Sequence, residues 1–500
     1  KRIIQNNKTI IFLPYRFNYS TIWLEFLTAS YLKMKGYNVL VMFAGRTITL
    51  SDGVNYGTRF SWLKEKINIS RAYAYSKKFN VDLIFFDDII DNKDIKLLRK
   101  KSNSLSVEEI LSYVSRDNIN HGEKVFESIC RYHGSSKISK INDEKIIRKF
   151  FFNSLMSEKA SINSIKKFKP EKLFTSHAIY SSWGIFSEVY KKQKIDFICW
   201  GFYYRNNVII AAHNKSIQHS IINEKPENYS KIHFNDHIKK LVLNYVNFKI
   251  KGSNKYDKLN YYSNISFFDK IDKTRLKKRY CMFPNLEWDA VVAYDPTIFK
   301  SMNDWIIETV KWFIDNPKYE LIIRAHPAET IHYISTQITV KKMIFNHFGE
   351  HLPKNIVIID SNSDITSYEV LFKSDVCLIY ASKIGLEAAI LNKPVFVCSK
   401  SHFYDKKIAI EPRNKTDYFN LLGKDGIYKE EFNKNAITFG YYYYFKRQFY
   451  LPLLDQGKFT FQNMNDLEKG KVPNFKKFIR CILENEDFIN DEDIIKKYLL

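Results

Sequence analysis

Three short stretches join residue types that can do chemistry to a position just past an apolar run. Arg324, His326 and Glu329 follow Leu321 to Ile323, and Ser382, Lys383, Gly385 and Glu387 follow Val376 to Tyr380. His177, Tyr180 and Trp183 follow Lys172 to Thr175. A guanidinium, an imidazole and an ammonium at strand ends, beside a helix start with open N–H groups, suit a phosphate. Gly385 permits close approach of a ligand to the backbone, Glu387 can accept from ribose hydroxyls, and Tyr380 ends the strand leading into that turn. A histidine such as His177 is suited to proton transfer near neutral pH. Glu25 and Asp87 are the fallback acids for that catalytic role. Asn285 and Asp289, within Phe283-Pro-Asn-Leu-Glu-Trp-Asp289, complete the lining. Each stretch also has a plainer reading: His326 as a helix cap, Glu329 and Glu387 as first-turn acids, His177 beside a core Trp, and 283 to 289 as a turn.

The elements that must carry these residues read as alternating strands and helices. Thr9 to Leu13, Asn38 to Phe43, Asp82 to Phe86, Lys172 to Thr175, Asp196 to Trp200 and Val208 to Ala212 read as strands of a first half. Helices are expected over Ile22 to Met34, stopped by Gly36, over most of 105 to 168, and over Ser182 to Lys192. Residues 213 to 278 are polar and weakly periodic and read as a connector with some helix. Tyr280 to Phe283, Glu320 to Ile323, Ile356 to Ile359, Val376 to Tyr380 and Pro394 to Val397 restart the alternation, with a helix at Asp304 to Ile314. In such open sheets the ligand lies outside the carboxyl ends of the strands. The division expected is a first α/β domain at 1–213, a connector at 214–278, a second α/β domain at 279–413 and a helical segment at 414–500 packing back on both. The run Tyr441 to Tyr450 reads as a core helix, with an anionic membrane face as its alternative.

Composition bounds the partners. A net charge of +24 favours anionic ones, but no RNA-recognition signature, zinc-finger spacing or basic heptad accompanies it, so nucleic acid is not expected. The six cysteines form no C-x-x-C pair, which fits free thiols in a reducing cytoplasm. No P-loop and no G-x-G-x-x-G after the first strand occurs. No signal-peptide pattern opens the chain, and its first residue is Lys1, consistent with a piece of a longer protein.

Together, His177 to Gly184 as H-x-x-Y-x-x-W-G, Phe283 to Asp289 as F-x-N-x-x-W-D, Arg324 to Glu329 as R-x-H-P-x-E, and Ser382 to Glu387 ahead of Asn392-Lys-Pro-Val395 resemble the capsule polysaccharide biosynthesis family of glycosyltransferases. The likeness runs over roughly residues 170 to 450. Its His-Pro element also occurs in bacterial sialyltransferases, Kdo transferases and teichoic-acid polymerases. The resemblance implies the GT-B fold, two Rossmann-like doubly wound domains facing a cleft, with C-terminal helices. It implies His326 on a donor phosphate and Glu387 on the ribose or nucleoside. A paired Ser-Ser or Ser-Thr is usual where this chain has Ser382-Lys383, which speaks against a CMP-linked donor. The function expected is metal-independent transfer of a sugar from a nucleotide-activated donor to a growing surface glycan. Arg324, Lys383 and the helix start would stabilise the leaving phosphate, and Tyr180 and Trp183 would take the acceptor. Glycerol- or ribitol-phosphate transfer, nucleotide-sugar epimerisation and a non-catalytic role in a capsule assembly complex are the alternatives. No cofactor is expected. The partners expected are the nucleotide sugar, a glycan or lipid-linked acceptor, and an anionic membrane surface reached peripherally from the cytoplasm.

Overall fold

Successive residues of the first strand pack into different cores, and this sets the architecture. The computed structural model describes residues 6–15, 22–45, 47–48, 50, 61–137, 143–203, 205–251, 278–289, 298–331, 336–455 and 458–499. The first sheet contains β1 (Asn6–Tyr15), β2 (Tyr37–Phe43), β3 (Asp82–Phe85), β4 (Pro170–Ser176), β5 (Asp196–Phe202) and β6 (Val208–His213). They lie in the order β6-β5-β4-β1-β2-β3, all parallel except β6, which runs antiparallel to β5. Ile10 and Phe12 join one core with Val39, Phe174 and Trp200. Ile11 and Leu13 join another with Met42, Leu173 and Cys199. Both faces of the sheet are therefore buried, as parallel strands require.

Helices α1 (Ile22–Met34) and α2 (Ser61–Phe79) cover the first face. On the second face lie α3 (Asn92–Ser104), and, after α4 (Val107–Leu111) and α5 (His121–His133), also α6 (Glu144–Phe168) and α7 (Ile185–Lys192). Helices α4 and α5 pack on α6 through Ile110, Val125, Ile129, Phe150 and Leu155. The side chain of Asn120 accepts from the Glu123 N–H at 3.0 Å to start α5, and Gly134 at φ 65° ends it.

Beyond α8 (His219–Ile222) and α9 (Asp236–Ile250), the second sheet holds β7 (Lys278–Phe283), β8 (Tyr319–Arg324), β9 (Ile356–Ile359), β10 (Val376–Ile379) and β11 (Val395–Val397). Its order is β11-β10-β7-β8-β9, and every pairing is parallel. Tyr280 and Met282 face α10 (Met302–Asp315) and α12 (Val340–Phe348), which follows the single turn α11 (Ala328–Ile331). Cys281 and Phe283 face α9, α13 (Ser367–Phe372) and α14 (Ile384–Ile390). This is the doubly wound α/β class expected, realised twice.

The C-terminal stretch is helical as expected, with short strands between its helices. Helices α15 (Lys415–Leu422) and α16 (Glu430–Tyr441) pack on the second sheet. The chain then crosses back. Strand β12 (Phe449–Tyr450) adds antiparallel to β6, and beyond α17 (Met464–Glu468), α18 (Phe475–Glu484) puts Phe475 and Phe478 in the first core. Tyr441 to Phe445 are all buried, so the aromatic run is core. Its cations are paired: Lys446 with Glu492 at 2.8 Å and Arg447 with Glu224 at 2.7 Å. The membrane alternative for this run is thus set aside by burial.

Candidate active site between the two sheets

The carboxyl end of β4 runs into a turn that no glycine relaxes. His177, Ala178 and Tyr180 have φ of 60°, 52° and 68°, a left-handed conformation that costs L residues energy and gathers at functional sites. Helix α5 holds the turn: the Tyr180 N–H donates to Glu127 Oε2 at 3.3 Å and the Ser181 N–H to Ser128 Oγ at 2.9 Å. The helix expected from Ser182 accordingly starts at Ile185, after a wide turn over Tyr180–Gly184. His177 stacks on Trp183 with ring centroids 5.6 Å apart, and its Nδ1 is buried without a hydrogen-bond partner.

Arg131, near the end of α5, ties this turn to the second sheet. Its Nη1 donates to the Tyr180 hydroxyl at 3.0 Å and to Asp289 Oδ1 at 2.9 Å. Just past α5, Ser135 and Ser136 donate to the Glu287 carboxylate at 3.2 and 2.9 Å, and the Gln337 N–H donates to Gly134 O at 3.1 Å. Trp288 packs against Cys130. The loop after β7 therefore meets the β4 turn through α5. Burial, then the Arg131 charge, push the His177 pKa down to about 4, with Asp289 opposing. The near-neutral titration expected of His177 is corrected: this imidazole is neutral across the physiological range and a weak base.

On the second sheet, Asn285 joins two strand ends, its Oδ1 accepting from the Ala381 N–H at 3.3 Å. His326 Nδ1 accepts from the Ala328 N–H at 3.1 Å. With Nδ1 accepting, the ring proton sits on Nε2. Glu329 accepts from the Val340 N–H at 3.1 Å through Oε1, while Oε2 is buried without a partner. Burial chiefly, with Asp360 and Glu287 adding, pushes its pKa up to about 7. Lys383 lies over the ring of Tyr203, a residue just past β5, at 4.9 Å, a second contact between the halves. Ser382 accepts through its backbone oxygen from the Gly385 N–H at 3.2 Å.

Other expected site residues are committed elsewhere. Arg324 is buried and donates to the carbonyls of Ile365, Ala325, Asp360 and Ser363, so it builds the 360–365 loop instead of facing a phosphate. Glu387 accepts from Lys249 of α9 and, at 2.7 Å, from the Tyr368 hydroxyl, so both oxygens are taken before any ribose arrives. A Cβ on Gly385 would stand 2.4 Å from Ile379 Cδ1 and 2.7 Å from Phe403 Cζ; the glycine serves helix packing, not ligand approach. Tyr380 points into the core beside Trp305, 5.9 Å between rings. Glu25 is fully buried, its Oε1 accepting from Trp200 Nε1 at 3.1 Å. Asp87 accepts from Thr47 at 2.5 Å past the carboxyl end of β3, three strands along the sheet from β4. Arg131, Glu127, Glu287 and Tyr203 carried no sequence signal, because their roles depend on partners far along the chain. Among the described residues, no group of three or more His, Cys, Asp or Glu could hold a metal ion.

The sequence model of a family described as capsule polysaccharide biosynthesis protein matches residues 189–407, a little under half the chain. It is the family that the motifs resemble, and it takes in Asn285, Asp289, His326 and Lys383 but not His177. No curated protein matches the chain. Among solved structures, the beta Kdo 2,4 transferase KpsC of Thermosulfurimonas dismutans is similar at 9% identity, over 54% of this chain and 79% of that one, with a TM-score of 0.34. S. aureus MnaA, solved with UDP, is similar at 11% identity over 86% and 91%, TM-score 0.26. The glycosyltransferase SnogD from Streptomyces nogalater is similar at 7% over 87% and 93%, TM-score 0.23. Likenesses this distant carry no functional weight.

Proposed function

We propose that this chain is a glycosyltransferase that moves a sugar from a nucleotide-activated donor onto a growing capsule-type glycan. The observation that carries the reading is Arg131, bonded at once to Tyr180 at the end of β4 and to Asp289 beyond β7. It brings the carboxyl ends of two parallel sheets to one site, where ligands of open α/β sheets bind. The family match covers the donor side of that site.

In this reading the acceptor hydroxyl attacks the anomeric carbon while the bond from that carbon to the phosphate oxygen breaks. The His326 Nε2–H donates to the leaving phosphate oxygen and Lys383 neutralises its charge. Protein groups take this part, so turnover is expected to persist in EDTA. His177, neutral and stacked on Trp183, orients the acceptor hydroxyl, whose proton goes to solvent water as the new bond to the anomeric carbon forms. Incubation with a panel of nucleotide sugars and a glycan acceptor, followed by product analysis, tests the proposal. Glycan extension with free nucleotide is expected. An isomerised donor without nucleotide release would make the protein an epimerase, and no turnover of any donor would remove the enzymatic reading.

We further propose that the enzyme works peripherally at the inner membrane face. Among the described residues no helix is long and apolar enough to cross a membrane. Lys166, Lys167 and Lys169 at the end of α6 and Lys191, Lys192 and Lys194 at the end of α7 are exposed. They stand side by side where the adjacent strands β4 and β5 begin, on the edge away from the cleft. On α3, Lys96, Arg99 and Lys100 are also exposed, Arg99 lying over the Phe152 ring at 4.4 Å, whereas Lys101 is bonded to Tyr113.

A further inference from the structure

A cavity of about 80 Å³ lies at the edge of the first sheet away from the cleft. Three parts of the chain line it: the end of β6 with Lys215 just beyond, the segment after α8 with Glu224 and Lys225, and the C-terminal stretch with Arg447 and Asp487. Exposed Asn485, just past α18, also lines it. Asn485 donates to Asp196 Oδ2 at 2.8 Å and accepts from Lys172. Asp196 begins β5 and Lys172 lies in the first turn of chain of β4. The cavity therefore stands at the same edge as the exposed Lys169, Lys192 and Lys194.

Five charges meet here, for Glu224, Lys225, Arg447 and Asp487 all act on Lys215. Both acids are already taken. Glu224 accepts from Arg447 Nε at 2.7 Å and from Asn228 Nδ2 at 2.8 Å. Asp487 accepts from Lys225 at 3.2 and 3.3 Å. Two ion pairs leave Lys215 over, its ammonium donating only to a neutral group, Asn223 O, at 2.6 Å. Arg447 is 4% exposed, and its Nη1 is buried with no hydrogen-bond partner among the described residues. Leaving a buried guanidinium N–H unpaired is costly. His213, which also lines the cavity, donates through Nε2 to Glu486 O at 3.1 Å. Its Nδ1, buried and likewise unpartnered among the described residues, then carries a bare lone pair.

An uncompensated ammonium, an unpaired guanidinium N–H and an open acceptor suit a phosphate with a hydroxyl on or beside it. The oxygens answer the cations, and the hydroxyl answers His213. A divalent cation would meet excess positive charge, and a neutral sugar would leave that charge unmatched. The volume suits one such group, since a single water takes about 30 Å³.

We infer that this cavity is a second anion site, remote from the donor site, that takes the phosphate of a hydroxyl-bearing phosphate ester: a glycerophosphate head group at the membrane surface, or the same ester free in solution. The site uses none of the residues assigned to transfer. Where the ester is a lipid head group, the inference rests on the membrane reading above and extends it: the lysines supply attraction to any anionic surface, and the cavity selects the head group.

Titration calorimetry of the wild-type protein with glycerol 3-phosphate and with glycerol tests this without any variant. The ester should bind and glycerol should not. In Lys215→Met, checked for folding by its melting profile, the affinity for the ester should fall at least ~10-fold, the scale of one charge-assisted contact. In His326→Ala, which cuts into the donor site instead, it should be unchanged. Vesicles separate the sources. Displacement of bound ester by phosphatidylglycerol vesicles, but not by phosphatidylserine vesicles of equal charge, makes the lipid head group the ligand; retention makes it the free ester. No binding of glycerol 3-phosphate to wild type, or binding lost in His326→Ala and kept in Lys215→Met, would overturn the inference. Salt-reversible pelleting with anionic vesicles alongside either failure would leave the membrane reading standing.

Discussion

Glu25 is a carboxyl group sealed in the first core, with Trp200 donating to one oxygen and the other oxygen buried without a partner. Burial pushes its pKa from the ordinary 4.5 up to about 8. A carboxyl raised in the folded state binds more protons folded than unfolded between those values, so its stabilising share is full below about 4.5 and drains away as pH rises through about 8. At about 1.4 kcal/mol per pH unit of difference, the loss over that window reaches a few kcal/mol. Urea melts of Glu25→Gln should therefore fall less than wild type between pH 5 and pH 8.5; parallel curves would mean that Glu25 is not the titrating group. Glu387 makes the opposite case, a buried acid bonded to the half-buried cation Lys249. Glu387→Gln should cost about 1–3 kcal/mol in the same melts by removing the charge from that pair, and a change under 0.5 kcal/mol would remove the cross-link between α9 and α14. At this scale the sequence was partly legible. His177 and His326 could be picked out because a polar residue directly after an apolar strand has few structural duties. Arg324 and Glu387 could not be judged, because the carbonyls of 360–365, Lys249 and Tyr368 that occupy them meet them only in the folded chain.

Among the elements, α5 decides the site. It presents Glu127, Ser128 and Arg131 on one side, and its start is wedged against α4. A Cβ on Gly122 would stand 2.1 Å from the backbone oxygen of Leu111. Backbone cannot yield as a side-chain tip can, so Gly122→Ala must move α5, at a cost of roughly 1–3 kcal/mol. Because α5 carries Arg131, turnover should fall as well. Wild-type melting and turnover in Gly122→Ala would show that α5 has room. The parallel strands were readable because burial on both faces writes them as short apolar runs. Strand β12 was not: two residues, Phe449 and Tyr450, become a strand only because β6 offers an open edge.

For the whole molecule, the lysines at the ends of α6 and α7 form a basic edge opposite the cleft. Each such residue near an anionic surface contributes about 1 kcal/mol, screened over ~8 Å at physiological salt. The protein should pellet with anionic vesicles at low salt, release at high salt, and ignore neutral vesicles. Reversing Lys166, Lys167, Lys191 and Lys192 to Glu should abolish the binding without changing turnover on a soluble acceptor; no pelleting of wild type at low salt would leave the charge without this role. The two-sheet plan was legible from the alternation of elements, while the strand by which the tail crosses to the first sheet was not, since nothing local in residues 442–455 announces it.

The central claim is that donor and acceptor sides meet across one cleft, and acceptor-dependent nucleotide release in three proteins measures it most directly. Wild type should release nucleotide faster with a glycan acceptor than without. His326→Ala should lose at least ~100-fold in both conditions, the scale for one transition-state donor. His177→Asn, whose asparagine tolerates the left-handed φ of 60°, should keep the slow acceptor-independent release and lose the acceptor's acceleration. Equal rates in all three proteins, or an acceleration that survives in His177→Asn, would contradict the division of labour between the two sheets.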